Sequence, residues 1–346
     1  MSDDPDTVVE VLPIEFLPWH AAATDRLQTA VAGGRLSHGL LLHGPGGVGK
    51  ERFAAALAAA LFCTRRGKRL EACGECADCM LSRAGSHPDL HWIRLLKDAK
   101  DKKEKKSIGV DQIRELSEEL GMTSMRSGYR VAVIAPADLM TLAAQNALLK
   151  TLEEPAPRTV LVLVTARPSR LLATLRSRCQ RVEIARPEEQ SALLWLEGML
   201  DGGASSRLLA LAGGAPLAAV SLAPHFDALE SQMGQILEAL LSGRAEVTRL
   251  AEDMQGEGLP TRLDWLESWL GGAIRRRTLG DETRLTLPGS PLLQRAAAAV
   301  NITMAFRLVD RLREARRLLE GSVAPQLLVE ALLIELRAAC GSGGVD

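Results

Sequence analysis

The sequence predicts an α/β domain on a parallel sheet with a phosphate-binding loop, followed by all-helical domains. Three observations predict it. Strand and helix signals alternate through the first half of the chain, the pattern of a parallel sheet with helices on its faces. A complete G-x-x-x-x-G-K pattern runs from Gly44 to Lys50, between an apolar run and an Ala/Leu-rich stretch. Strand signals stop after about residue 189, and Leu/Ala-rich helical pattern broken by Gly and Pro fills the rest.

The elements follow in order. GLLLHG (39–44) reads as a short buried strand ending in glycine, and ERFAAALAAALFC (51–63) as the helix after it. DLHWIRLL (89–96) reads as a strand. VDQIRELSEELGM (110–122) places Val110, Ile113, Leu116 and Leu120 at helical spacing. YRVAVIA (129–135) is a strand, TLAAQNALLKTLEEP (141–155) a helix stopped by proline, and TVLVLVTA (159–166) a strand. RVEIARPEE (181–189) carries the last strand signal. Gly202-Gly203, Gly213-Gly214, Pro216, Pro224, Gly256, Pro260, Pro288-Gly289 and Pro325 punctuate the remainder. The expected organisation is an α/β domain over 1–186, a small helical lid over 187–224 and a larger helical domain over 225–340. The tail 341–346, GSGGVD, is expected to be disordered.

Composition narrows the class. Hydrophobic residues make up 47% and aromatic residues only 3%, so the core must be mostly Leu, Ala and Val, which favours helices. A formal net charge of −1 gives no global basic field, so any nucleic-acid contact must come from a local patch. The acidic start MSDDPDTVVE lacks an apolar stretch, and no apolar run approaches the ~20 residues of a membrane span. A cytoplasmic protein is expected. Six Cys, four of them clustered, suit a reduced metal site better than a secreted disulfide framework.

The loop Gly44, Gly46, Gly47, Gly49 and Lys50 can cradle phosphate with backbone N–H groups, because it sits between a strand and a helix. Hydrolysis needs more. Mg²⁺ is normally held by a Ser or Thr after the lysine and by an acid at the end of a nearby strand. Here Glu51 follows Lys50, and the strand Val131–Ile134 runs into Ala135-Pro136. Asp138 lies three residues beyond the expected place of the first acid. Both protein-side magnesium groups are missing, so ATP or ADP binding without hydrolysis is the expectation.

Cys63, Cys73, Cys76 and Cys79 place four thiolates within seventeen residues, which suits a tetrahedral, closed, structural Zn²⁺ site. The module 63–79 could hardly build a core alone, and metal binding would supply its folding energy. An iron–sulfur cluster is the rival, since C-x₂-C-x₂-C spacing also serves ferredoxin-type sites. Four unlinked thiols are the plain alternative. His87 reads as part of a turn rather than a ligand.

HGLLLHGPGGVGK (38–50), the Cys cluster, SHPDL (86–90), NALLKTLEEP (146–155) and LLATLRSRC (171–179), in this order, resemble the clamp-loader branch of the AAA+ proteins. The resemblance is carried by sharp motifs over about residues 14–225 and by helical pattern alone beyond. It implies a RecA-like parallel sheet, a helical lid and a C-terminal helical collar. It also implies a hetero-pentamer with ATPase subunits of the gamma/tau type and a delta-type subunit, which places a sliding clamp on primer-template DNA. In such rings one subunit supplies the phosphate loop and the next an arginine finger from an S-R-C motif, here Ser177-Arg178-Cys179. The resemblance gives Arg178 that role, in trans. The lid arginine of ATPase members has no counterpart in AGGAPLAA (212–219). Three lost nucleotide contacts favour a stationary, non-hydrolysing subunit. Two alternatives stay open: an ATP-hydrolysing motor subunit with unusual ligands, and a zinc-dependent nucleic-acid-binding module.

The remaining charged stretches read as solvated faces first and contact surfaces second. They are KDAKDKKEKK (97–106), Arg275–Arg277, and Arg311, Arg313, Arg316 and Arg317. The carboxylate pairs in SEEL (117–120) and LEEP (152–155) fall on an ordinary helix and a helix end.

Overall fold

A computed structural model describes residues 13–96, 105–122, 124–126, 128–200, 205–256, 258–279, 291–319 and 323–341. The acidic start, most of the lysine-rich run and all but the first residue of the expected tail lie outside the described residues. The chain divides into two compact units, Met1–Ser191 and Ala192–Asp346.

The first unit begins with a 3₁₀ turn (Pro18–His20) and α1 (Ala21–Ala32), then β1 (Gly39–His43), α2 (Lys50–Phe62) and α3 (Ala77–Arg83). It continues with β2 (Leu90–Ile93), α4 (Val110–Gly121), β3 (Arg130–Ile134), α5 (Leu142–Glu153), β4 (Thr159–Thr165), α6 (Ala173–Arg178) and β5 (Gln180–Glu183). The strands pair in parallel in the order β2-β3-β4-β1-β5. β1, β3 and β4 lie inside the sheet and read as unbroken apolar runs, because helices cover both faces of a parallel sheet. β2 is an edge strand, half-buried throughout, and stops at Ile93, short of the run to residue 96.

Periodicity explains the helices. Ile113, Leu116 and Leu120 of α4 and Ala144, Leu148 and Leu152 of α5 pack with Leu41, Ala132, Ile134, Leu161 and Leu163 of the sheet. The Thr141 hydroxyl accepts the Ala144 N–H at 3.2 Å and caps α5, which ends two residues before Pro155. α2 is buried from Phe53 to Phe62, so small alanines are needed for it to lie close to its neighbours. α1, α3 and α6 have weak signatures in the sequence: α3 and α6 are at most seven residues long, and α1 has a broken apolar stripe.

The boundary of the second unit falls within α7 (Glu189–Glu197). α8 (Ser206–Leu211) and α9 (Pro216–Leu222) follow. Ala192, Leu196, Leu208, Leu209 and Ala219 form a small core there. A larger core joins α10 (Phe226–Leu241), α11 (Val247–Asp253), α12 (Leu259–Leu279), α13 (Pro291–Ala299), α14 (Ile302–Leu318) and α15 (Pro325–Gly341). Trp265 and Trp269 are its largest buried side chains. The Trp265 indole N–H donates to Glu230 at 2.6 Å, and Glu230 also receives Arg207 of α8 at 2.8 Å, which ties the small core to the large one.

Candidate nucleotide loop, metal centre and arginine donor

The phosphate loop hangs between β1 and α2 at the carboxyl end of the sheet, where open α/β folds bind ligands. Gly44 is required sterically: a Cβ there would lie 2.1 Å from the Ile184 carbonyl oxygen. Gly49 takes a left-handed φ of 85° as the loop enters α2. The loop is braced from below by a feature outside any motif. The indole N–H of Trp19 donates to the Val48 carbonyl at 2.9 Å, and His20 Nε2 meets the same oxygen at 3.2 Å. His20 Nδ1 accepts the Leu17 N–H at 3.1 Å, so the ring is neutral and Nε2 carries the proton. Burial drives its pKa down to about 4; the Val48 bond opposes this and the nearby Arg52 charge reinforces it. Sequence reading passed over Pro18-Trp19-His20, because nothing local links it to a loop 28 residues away.

Lys50 is buried, and its ammonium donates to the Pro45 carbonyl at 2.5 Å. Burial lowers its pKa, while Asp138 and then Glu51 pull it back up. Glu51 is exposed and pairs with Arg94 at 3.4 Å. Ala135 is buried at the end of β3 and no carboxylate stands there. Asp138 comes closer than its sequence spacing suggests. The 3₁₀ turn Ala137–Leu139 swings it back, and its Oδ1 accepts the Thr165 hydroxyl at 2.6 Å. Thr165 ends β4 in register with His43, the residue before the loop. Thr165 carries no motif signal in the sequence; strand pairing alone sets it beside His43.

The four cysteines converge as their spacing predicts. Their sulfurs all lie within 4.8 Å of one another, with Cys73–Cys79 at 3.9 Å and Cys63–Cys76 at 4.0 Å. A tetrahedral ion with bonds of about 2.3 Å needs sulfurs about 3.8 Å apart. Backbone N–H groups of Cys73 and Cys76 each donate to a cluster sulfur at 3.4 Å, as favours thiolates. Burial raises the Cys63 and Cys79 thiols, while hydrogen bonds lower Cys73 and outweigh burial at Cys76, so a cation is needed to hold the first two ionised beside the others. The cluster can therefore hold a metal. His87 is no part of it: it stacks on Phe62 at 3.8 Å and accepts the Asp89 N–H at 3.2 Å. Asp89 in turn receives the Ser124 hydroxyl and the N–H groups of Met125 and Arg126, and Arg126 donates to Asp78 of α3. The SHPDL motif thus stitches the module to the loop entering β3.

Arg178 is the last residue of α6, and it faces solvent. It pairs with Glu153 of the LEEP motif at 2.7 Å and donates to the Thr174 carbonyl at 3.1 Å. Its neighbour Cys179 is buried, and burial pushes that thiol up to about 11. Cys179 anchors the corner while Arg178 stays outside. Three arginines of α14 are engaged internally. Arg316 pairs with Asp264 and Glu267 of α12, Arg313 with Glu267, and Arg311 with Glu335 of α15.

Comparison with known proteins decides the family. The profile described as DNA polymerase III, delta subunit, matches residues 19–188, and that of its C-terminal part matches 225–338. The DNA polymerase III subunit delta' of Pseudomonas aeruginosa is 35% identical over 340 residues, 95% of this chain and 99% of the relative. The chain belongs to the delta-prime family of DNA polymerase III subunits. It is accordingly a DNA polymerase III subunit, built on a five-stranded parallel sheet and an all-helical C-terminal part. The delta' of Escherichia coli is 34% identical over 80% of this chain and 81% of its own length. The tau subunit of Bacillus subtilis is 29% identical over 71% of this chain and 44% of its own length. Among the described residues no helix is long and apolar enough to cross a membrane.

Proposed function

We propose that this delta-prime family member is a stationary subunit of the clamp loader: it does not hydrolyse ATP and donates Arg178 to a neighbour's ATP site. One observation carries the reading. The loop keeps its cradle and Lys50, yet neither place for a protein-side magnesium ligand holds one: Glu51 turns to Arg94, and β3 ends in Ala135-Pro136. Arg178 fits the donor role because it is exposed at a helix end on a corner fixed by buried Cys179. The surface pair with Glu153 is weak enough to exchange for a phosphate.

In this reading the partners are ATPase subunits of the gamma/tau type and a delta-type subunit in a hetero-pentamer, which acts on a sliding clamp and primed DNA. Residues 187–224 form the lid and 225–340 the collar. α15 offers an apolar stripe of Leu327, Ala331, Ile334 and Ala338, spaced for a helix seam, in which Ala331 is half-buried while Leu327 is 67% and Ile334 52% exposed. The metal is structural Zn²⁺. Sulfurs this close suit one ion rather than a cluster with inorganic sulfide.

The motor alternative gains one supporting observation, the carboxylate of Asp138 beside Thr165 and within electrostatic reach of Lys50. DNA- and clamp-stimulated ATP hydrolysis by the reconstituted complex separates the two. Arg178→Ala is expected to lower the rate by up to about 10³-fold while Lys50→Ala leaves it unchanged. A loss on Lys50→Ala instead identifies a motor.

A further inference from the structure

We infer that Asp138 is a built-in competitor of the terminal phosphoryl group, so that the Gly44–Lys50 loop selects a nucleoside diphosphate over the triphosphate. The inference rests on the loop being a phosphate cradle, and it specifies what the cradle accepts.

In phosphate loops the backbone amides hold the α- and β-phosphates, and the lysine reaches the β and γ. The metal that bridges β and γ is held by an acid at the end of a nearby strand, so the γ-phosphoryl faces that strand end. Here the strand is β3. Past its end, the turn Ala137–Leu139 delivers a carboxylate three residues beyond the usual acid, already tied to Thr165. The carboxylate is fixed, since Asp138 Oδ1 accepts from Thr165 at 2.6 Å and the same hydroxyl accepts the Arg167 N–H at 2.8 Å. Thr165 pairs in register with His43, which places the carboxylate on the γ side of the cradle, two strands across from β1.

Two anions then contend for Lys50. A diphosphate ends at the lysine. A third phosphoryl would extend toward Asp138 and take up the place where the Thr165 hydroxyl is already engaged. In a magnesium-dependent site the cation neutralises such an encounter. Without a hydroxyl at 51 or an acid at 135, both usual protein ligands of that cation are missing while Asp138 is engaged by Thr165, and the repulsion stands.

The test is a titration of the full chain with ADP and with ATP, in EDTA and in Mg²⁺, for wild type, Asp138→Asn and Lys50→Ala. Asparagine keeps the acceptor for Thr165 and removes the charge. The expected result is ADP binding at least about tenfold tighter than ATP to wild type, a gap that Asp138→Asn narrows by tightening ATP. Lys50→Ala is expected to weaken both. The wild-type preference needs no variant and stands as a test if Asp138→Asn fails to fold. The inference is overturned if ATP binds wild type as well as ADP does, if the gap survives Asp138→Asn, or if neither nucleotide binds at about millimolar concentration. It is equally overturned if Asp138→Asn weakens ATP only in Mg²⁺, which makes Asp138 a metal ligand. None of these titrations involves Arg178, so their failure leaves the donor role untouched.

Discussion

His20 shows how one side chain can tie stability to pH. Its pKa is lowered to about 4 in the fold from an ordinary 6.5, so between these values only the unfolded chain takes up the proton. The stabilisation is therefore complete above pH 6.5 and is lost as pH falls toward 4. Its full size is on the order of 3 kcal/mol. Denaturant unfolding from pH 7 to 4.5 should show stability falling, and His20→Gln should flatten that slope. His87, also lowered by burial, adds in the same direction, so some slope should survive the substitution. The importance of His20 was not legible in the sequence. Its partner Val48 is 28 residues away, and only the packing of the 3₁₀ turn beneath the loop brings them together. Lys50, by contrast, stands in a motif whose spacing makes it a candidate, and Arg178 is a candidate through the family resemblance of Ser177-Arg178-Cys179. Whether Asp138 belongs to that company could not be read from spacing, since a tight turn decides where its carboxylate points.

Among the elements, the cysteine module depends most on something besides its own sequence. Segment 63–79 packs its cysteines and Ala72 against only Ile14 and Ala59 from outside it, too little apolar surface to hold α3 in place. Stripping the metal with a chelator at neutral pH should unfold α3, lower the melting temperature of the chain, and release about one Zn²⁺ per four thiols. Circular dichroism and a zinc-indicator assay check this; an unchanged melt with no zinc released removes the structural-metal reading. The ties from Asp89 to residues 124–126 predict that protection of their amides falls as well. The strands and α4, α5 were legible because their periodicity is strong. α3 and α6 were not, since helices of seven and six residues are set by neighbours rather than by pattern.

At the scale of the whole molecule, the C-terminal helices bury a continuous core and still leave apolar residues in solvent. Leu327 and Ile334 sit on one side of α15 while Val329, Leu332, Leu333 and Leu336 fill its other side. Replacing Ile334 by Asp should leave the unfolding of the isolated chain nearly unchanged, because the side chain is half in solvent. It should block incorporation into the reconstituted clamp loader, measured by size-exclusion chromatography. Normal incorporation would remove α15 from the collar seam. The arginines of α14 are poor candidates for DNA contacts, since Arg311, Arg313 and Arg316 are matched by acids of α12 and α15.

By itself the sequence determined the parallel sheet and its phosphate loop, the gathering of Cys63, Cys73, Cys76 and Cys79, and the loss of acids after β3. Each is a matter of local order: period, spacing, or the residue type at a fixed step from a motif. Tertiary structure alone decided that Trp19 and His20 brace Val48, that Asp138 returns to Thr165, and that Glu153 holds Arg178. These contacts join residues brought together by strand order and helix packing. A hydrogen bond fixes a group only once the fold has set its distance, and no local pattern in the chain encodes that distance.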